Sequence, residues 1–336
     1  MATLGGRVPT IADITKTLAP DGSEAQIAYV LNETNAILDD IPWEEGNLLD
    51  GNRTSVNTAL PAVSARTVNS GVNATFGVFD QIDDACAVFE SKSTIDRLVA
   101  ETGGKSMVER NRAVHARLHI QAMGEKLADT LFYGSPSVPE EFVGIANRLN
   151  SLSGVAADNV IDCSGTGSDN TSIYGIKWGS NTVKGIYPKG TVGGLQRTDE
   201  GLVSVTTTAG LGTGTLLAYQ EYFTWRCGLA VPNWADGLVR ACNIDISDVL
   251  ANGASAAPLV DIMISMLEAI GNPDSGRFVF YMNRTLRKML RIQVKDGVQA
   301  GGGITFENFE GRRTMMFDGY PVRICDAITN TETAVA

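Results

Sequence analysis

Residues 105–133 read as one amphipathic helix close to thirty residues long. Val108, Asn111, Val114, Leu118, Ala122 and Leu127 recur at helical spacing near one face, with Met107, Met123 and Leu131 beside it. Glu109, Arg110, Arg112, Arg117, Gln121, Glu125, Lys126 and Asp129 fall elsewhere on the cylinder. At the helical rise this segment spans about 40 Å, whereas a globular helix averages about a dozen residues. A helix of that length with an exposed polar side acts as a spine rather than as a core element.

The chain before it has no core of its own. Thr17-Leu18-Ala19-Pro20-Asp21-Gly22 is a turn, and Ser23 caps a predicted helix from about Glu24 to Asp39. Ile27, Val30, Leu31, Thr34, Ile37 and Leu38 form one stripe on it, and Ile41-Pro42-Trp43 ends it. A polar turn at Glu44-Glu45-Gly46-Asn47 and an extended polar stretch from Arg53 to Ser64 follow. Arg66 to Thr75 reads as a long hairpin or extended loop. One helix on a long polar arm needs a surface to pack on, and a second copy of the chain would supply it.

Beyond the spine, residues 134–235 are rich in Gly, Ser, Thr and Asn, with strand character at 172–178, 182–187, 202–205 and 219–231. Residues 256–336 read as a compact α/β unit. It has a helix from Pro258 through Ile270, a buried strand Arg277–Met282, a basic helix from Asn283 to Gln293 and a hairpin turning on Asp318-Gly319. No fixed-period repeat is present.

Composition permits a sizeable core, with 43% hydrophobic and 19% charged residues in 336. A net charge of −11 argues against general nucleic-acid binding, which needs Lys and Arg to neutralise phosphates. The charge is uneven. Residues 1–50 oppose Arg7 and Lys16 with nine carboxylates, whereas residues 277–323 carry nine basic groups against four acidic ones. These segments read either as two solvated faces or as surfaces that meet between subunits. Cys86, Cys163, Cys227, Cys242 and Cys325 are scattered, without a Cys-x-x-Cys pair, so neither a disulfide framework nor a zinc module is expected. That usage fits a reducing cytoplasm. Met1–Thr10 does not read as a signal peptide, and no apolar run is long enough to span a bilayer.

Searches for chemistry fail. His115 and His119 are the two histidines and share a helix face, but no Glu lies between them as in a zinc-protease helix. Gly165-Thr166-Gly167-Ser168-Asp169-Asn170-Thr171 lacks the Gly-Lys-Ser/Thr ending of a phosphate loop and reads as a turn before a strand. Gly210–Gly214 and Gly301–Gly303 read as flexible segments. No Gly-x-Ser-x-Gly elbow exists, and a serine or cysteine triad would have no histidine outside one helix. The pairs Asp39-Asp40, Glu44-Glu45 and Asp83-Asp84 read as hydrated surface charge. Trp43, Trp178, Trp225 and Trp234 read as core or interface anchors. No catalytic residue, cofactor or metal is expected.

Several motifs carry a resemblance. Ala19-Pro20-Asp21-Gly22, Trp43-x-Glu45-Gly46-Asn47-Leu48, Phe132-Tyr133-Gly134-Ser135 with Pro139-Glu140-Glu141-Phe142, and Ser151-Leu152-Ser153 are four of them. Gly165 to Ser172, Trp178-Gly179, Gly185-Ile186-Tyr187-Pro188-Lys189-Gly190 and Trp225-Arg226-x-Gly228-Leu229-Ala230-Val231 are the others. The chain resembles the major capsid proteins of short-tailed, podovirus-type double-stranded DNA bacteriophages over roughly residues 15–250, most strongly at 130–235. The resemblance implies an α+β, HK97-like fold. Its parts would be an N-terminal arm at 1–64, an extended E-loop and return strand at 65–100, a peripheral domain with the spine helix and a β-rich segment at 101–255, and an axial-type α/β domain at 256–336. It implies hexamers and pentamers closing into an icosahedral virion shell around double-stranded DNA, assembled in the host cytoplasm with scaffold, portal and decoration proteins as partners and no membrane. Inter-subunit contacts are expected at Trp43, Glu44, Glu45, Arg66, Phe76, Phe79, Arg110 and Arg117. The rival readings are an encapsulin-like shell, a decoration or tail-tube protein, and a metal hydrolase using His115 and His119.

Overall fold

The structure, a computed structural model, describes residues 2–3, 35–154, 156–206, 214–252, 258–296, 304–309 and 312–336. Of the predicted helix at 24–39, residues 24–34 lie outside the described residues, and Ile37–Asp40 is one helical turn. The turn at 17–22, Gly210–Thr213 and Gly301–Gly303 also lie outside them. The chain divides into two units, one of residues 1–33, 88–127 and 194–226, the other of 34–87, 128–193 and 227–336.

The second unit is built on a seven-stranded sheet. Its order is Ile304–Phe309, Arg312–Phe317, Tyr320–Ile324, Arg277–Met282, Asn170–Trp178, Leu238–Asp245 and Val160–Asp162. The predicted hairpin forms: Asp318 and Gly319 both take positive φ, 48° and 83°, as a tight two-residue turn requires. Helices Leu259–Ala269 and Arg284–Asp296 bury Leu259, Met263, Met266, Leu286 and Leu290 in one core with Ile173, Val239, Phe278 and Phe280. Close approach fixes Gly175 there, because a Cβ would stand 2.6 Å from both the Phe278 ring and Val239.

Residues 256–336 do not complete this sheet alone. An interior strand from outside that segment, Asn170–Trp178, is antiparallel to both neighbours and buried along its whole length. Thr171, Ser172 and Lys177 sit there because each finds a distant partner. Thr171 Oγ1 donates to the Thr329 carbonyl at 2.8 Å. Lys177 Nζ lies 2.6 Å from Asp236 and donates to the Asn272 carbonyl at 2.9 Å.

Among the described residues, the acidic and basic segments meet within the chain at Asp40. Asp40 accepts a hydrogen bond from Arg277, another from the Tyr281 hydroxyl at 2.7 Å, and lies 3.2 Å from Arg323 Nε. Burial pushes its carboxyl pKa up, against the pull of Tyr281 and the two guanidinium groups.

In the first unit, Leu195–Thr206 pairs antiparallel with Thr215–Arg226, and the latter half of strand Val78–Asp96 continues the sheet. The long helix is Val108–Tyr133, entered through a 3₁₀ turn at Lys105–Met107. Its burial follows the predicted stripe at Asn111, Met123 and Leu127 and departs from it at Leu118 and Ala122, which are exposed, and at Ala116, which is buried. Ala116 and Met123 pack on Phe223, with Phe89, Leu195 and Trp225 around them. Spacing alone could not place the stripe, because alanine, asparagine and methionine fill the inner face as readily as valine and leucine.

His119 belongs to this packing. The His119 ring stacks on Phe223 at 5.8 Å and its Nδ1 lies 2.6 Å from the Ser91 hydroxyl. Burial lowers its pKa, so the ring is neutral near pH 7. Among the described residues no three His, Cys, Asp or Glu side chains gather to hold a metal ion.

Candidate assembly surface

Strand Gly51–Ala59 pairs antiparallel with the first part of Val78–Asp96, from Gly51 opposite Ala85 to Ala59 opposite Val78. The polar stretch read from Arg53 onward is thus one arm of a hairpin, and nine residues of strand span about 30 Å. Alternation in Arg53-Thr54-Ser55-Val56-Asn57 suits an extended chain, but it supplies no apolar face to bury.

Local contacts hold the hairpin in register. Arg53 and Asp83 stand directly opposite, and both guanidinium–carboxylate hydrogen bonds measure 2.6 Å. Thr75 Oγ1 donates to the Ala62 carbonyl at 2.8 Å. The tip turns at Thr67–Ser70, where Asn69 takes φ 70° and Arg66 donates to the Ser70 carbonyl at 3.0 Å. The root is tied by a buried carboxylate. Asp84 accepts from Arg148 Nη2 at 2.7 Å and from the Val231 amide at 3.0 Å. Arg148→Ala leaves that carboxylate buried with one partner. A loss of about 2–3 kcal/mol is expected, measurable by chemical denaturation of the unassembled subunit.

Between these ties the hairpin exposes apolar side chains. Leu60 is 83% exposed, Val63 95%, Val68 89%, Phe76 84% and Phe79 72%. A two-stranded hairpin is marginal in water even with a covered face. This one turns its largest apolar groups to solvent within one short stretch of chain, as a surface made for a partner does.

The expected contact residues fall into three groups. Arg66, Phe76 and Phe79 lie on the projecting hairpin and are exposed. Arg117 is exposed on the long helix and Arg110 is half-buried there. Trp43, Glu44 and Glu45 form a short strand parallel to Lys184–Tyr187 and are engaged within the chain. Gly185 leaves room for Trp43, since a Cβ there would meet the indole at 2.5 Å. Glu44 accepts from Lys184 at 2.6 Å and from Ser180, and these hydrogen bonds hold its carboxyl below the usual range. Glu45 accepts from the Gly190 amide at 2.7 Å.

Reading the sequence missed Leu60, Val63 and Val68. Each stands without another large apolar neighbour, and the usable signal was their recurrence in a stretch with no helical or strand period.

Comparison with known proteins agrees with this architecture. A family model described as major capsid protein GP7 matches residues 19–336. The structure of bacteriophage Epsilon15 contains a chain that is 27% identical, with a TM-score of 0.76 over 100% of this chain and 99% of that one. More distant are the SrpI encapsulin of Synechococcus elongatus (12% identity, TM-score 0.45, 71% of this chain and 96% of that one) and a capsid chain of an empty GTA particle (8%, 0.45, 71% and 99%). No curated protein sequence matches.

Proposed function

Because the chain belongs to the GP7 major capsid protein family, we propose that its copies close, as hexamers and pentamers, into an icosahedral phage head around double-stranded DNA. It is a structural, self-assembling virion protein with an HK97-like α+β fold, and not an enzyme. The observation that carries the mechanism is the projecting hairpin with its uncovered apolar side chains.

The physical logic is that of many modest contacts. A neighbour covers the hairpin's apolar groups, and each contact is weak enough to correct and strong enough when repeated around a closed symmetry. Arg66, Phe76 and Phe79 act in this contact, and exposed Leu118 and Arg117 on the long helix offer a contact of their own. In this reading 51–96 is the E-loop with its return strand, the first unit serves the peripheral role and the sheet carrying 277–324 the axial one. The head is that of a short-tailed phage, assembled in the host cytoplasm with scaffold, portal and decoration proteins as partners.

Electron microscopy of the expressed full-length chain tests the proposal. Closed shells of phage-head size are expected, alone or with a scaffold. Tubes would favour a tail protein, trimers a decoration protein, and persistent monomers would sink the shell reading.

A further inference from the structure

Helix Arg284–Asp296 has two opposed faces. Leu286, Met289 and Leu290 are buried in the core of the second unit. Arg284, Arg287, Lys288 and Arg291 occupy the other side, within an arc of about 100° and along about 10 Å of axis. No acidic residue precedes Asp296 on this helix, and in a chain of net charge −11 such a row is exceptional.

The row is costly to an isolated subunit. Arg284 with Lys288 and Arg287 with Arg291 are like-charge pairs four residues apart. Arg284 and Arg287 also sit in the first turn, where the helix dipole is already positive. Asp326 relieves Arg284 through contacts of 2.7 and 3.0 Å. Arg287 has no such relief: its Nε is buried without a hydrogen-bond partner, and burial together with the charge of Arg291 lowers its pKa.

Several of the subunit's carboxylates are already engaged within it. Asp40 is held by Arg277, Arg323 and Tyr281, Glu44 by Lys184, Asp83 by Arg53 and Asp199 by Arg112. Three cations within about 6 Å of helix axis suit a ligand that is itself a row of like charges, as the phosphates of one nucleic-acid strand are.

We propose that the Arg287–Lys288–Arg291 face of this helix is a contact for the backbone phosphates of duplex DNA held within the shell. The inference rests on the reading of the chain as the subunit of a DNA-enclosing head. Such a contact touches phosphates and reads no bases. The negative charge of the rest of the subunit keeps it weak, so that DNA slides past it during filling.

The test uses unassembled full-length subunit and a mixed-sequence duplex, titrated over a range of salt. Neutralising three phosphate contacts predicts a log–log salt slope near −2.7 for this face, from about 0.9 per contact. R287Q/K288Q/R291Q should flatten the slope by about that amount and weaken binding more than about tenfold at low salt. K288Q alone, at an exposed position, should remove about one contact and keeps the test decisive if the triple variant misfolds. In wild-type particles, acylation of Lys288 should be slower in DNA-filled shells than in empty ones. Equal duplex binding by wild type and K288Q, with Lys288 equally reactive in both particle types, overturns the proposal. So does a variant that keeps duplex binding but no longer forms shells, which would place a second copy on this face. Microscopy of the wild-type preparation scores shell formation separately, so failure of the head reading is distinguishable from failure of the DNA contact.

Discussion

Replacing Leu60, Val63, Val68, Phe76 and Phe79 together with serine is expected to abolish shell formation and leave the folded subunit nearly unchanged. All five project into solvent, so the isolated chain loses little packing when they are shortened. Exposed substitutions of this kind usually shift stability by no more than about 0.5 kcal/mol each. Covered by a neighbour, a fully buried aliphatic or aromatic side chain contributes about 1.5–3 kcal/mol. Only part of that survives the ordering cost of association, yet every copy in a closed shell loses it at once. Light scattering and negative-stain microscopy would read assembly, and urea denaturation would read the subunit. Alanine at Ser64, Thr67 and Asn73, polar positions of the same loop, should leave shells intact. A subunit destabilised as strongly as its assembly would show that the five side chains pack within the chain, and the hairpin would lose its assigned role.

What the sequence made legible follows from how local each signal was. Asp318-Gly319 announced its hairpin because the turn needs residues that tolerate positive φ. Helix Leu259–Ala269 and strand Arg277–Met282 announced themselves by apolar runs of the right length. Strand Asn170–Trp178 was legible as a strand but not as a fully buried one. Thr171, Ser172 and Lys177 resemble surface residues, and only partners far along the chain make them buriable. Charge patterning failed for the same reason. The acidic and basic segments were visible, but nothing local said that Asp40 would find Arg277 and Arg323 inside one subunit. For the assembly surface, Phe76 and Phe79 were legible as aromatic residues without a core to join. The strand pairing that turns Phe79 into solvent depends on register and could be seen only in the fold.

Arg240→Ala should cost the subunit about 3–5 kcal/mol, the penalty for stranding one member of a buried ion pair. Arg240 lies on Leu238–Asp245 and Glu332 on the segment that follows the last strand, and both are buried. The guanidinium donates to Glu332 at 2.8 Å, to the Ser172 hydroxyl at 3.1 Å and to the carbonyls of Leu149 and Ala146 at 2.9 and 3.2 Å. It also lies 5.5 Å from the centre of the Tyr174 ring. Burial works against its charge, but Tyr174 and Glu332 outweigh that and raise its pKa. Glu332 in turn accepts from the hydroxyls of Tyr133 at 2.5 Å and Tyr174 at 3.2 Å, and burial first, then Glu332, pushes the Tyr133 phenol pKa up. The cluster therefore pins the chain end across the sheet. Hydrogen bonds from the Glu332 amide to Asn170 and from the Val335 amide to Asn243 extend the attachment. Removing the guanidinium leaves a buried carboxylate facing two phenols and frees two backbone carbonyls. Arg240→Met combined with Glu332→Leu should recover much of the loss, because well-packed apolar replacements avoid the desolvation cost that the pair bears. A double-mutant cycle in urea separates the cases: a coupling energy near zero would mean that the two residues act independently, and the pinning role would fall. Amide exchange gives the second readout. In Arg240→Ala, residues 328–336 should lose protection before strand Asn170–Trp178 does, since the tail is held by this cluster and the strand by its two neighbours.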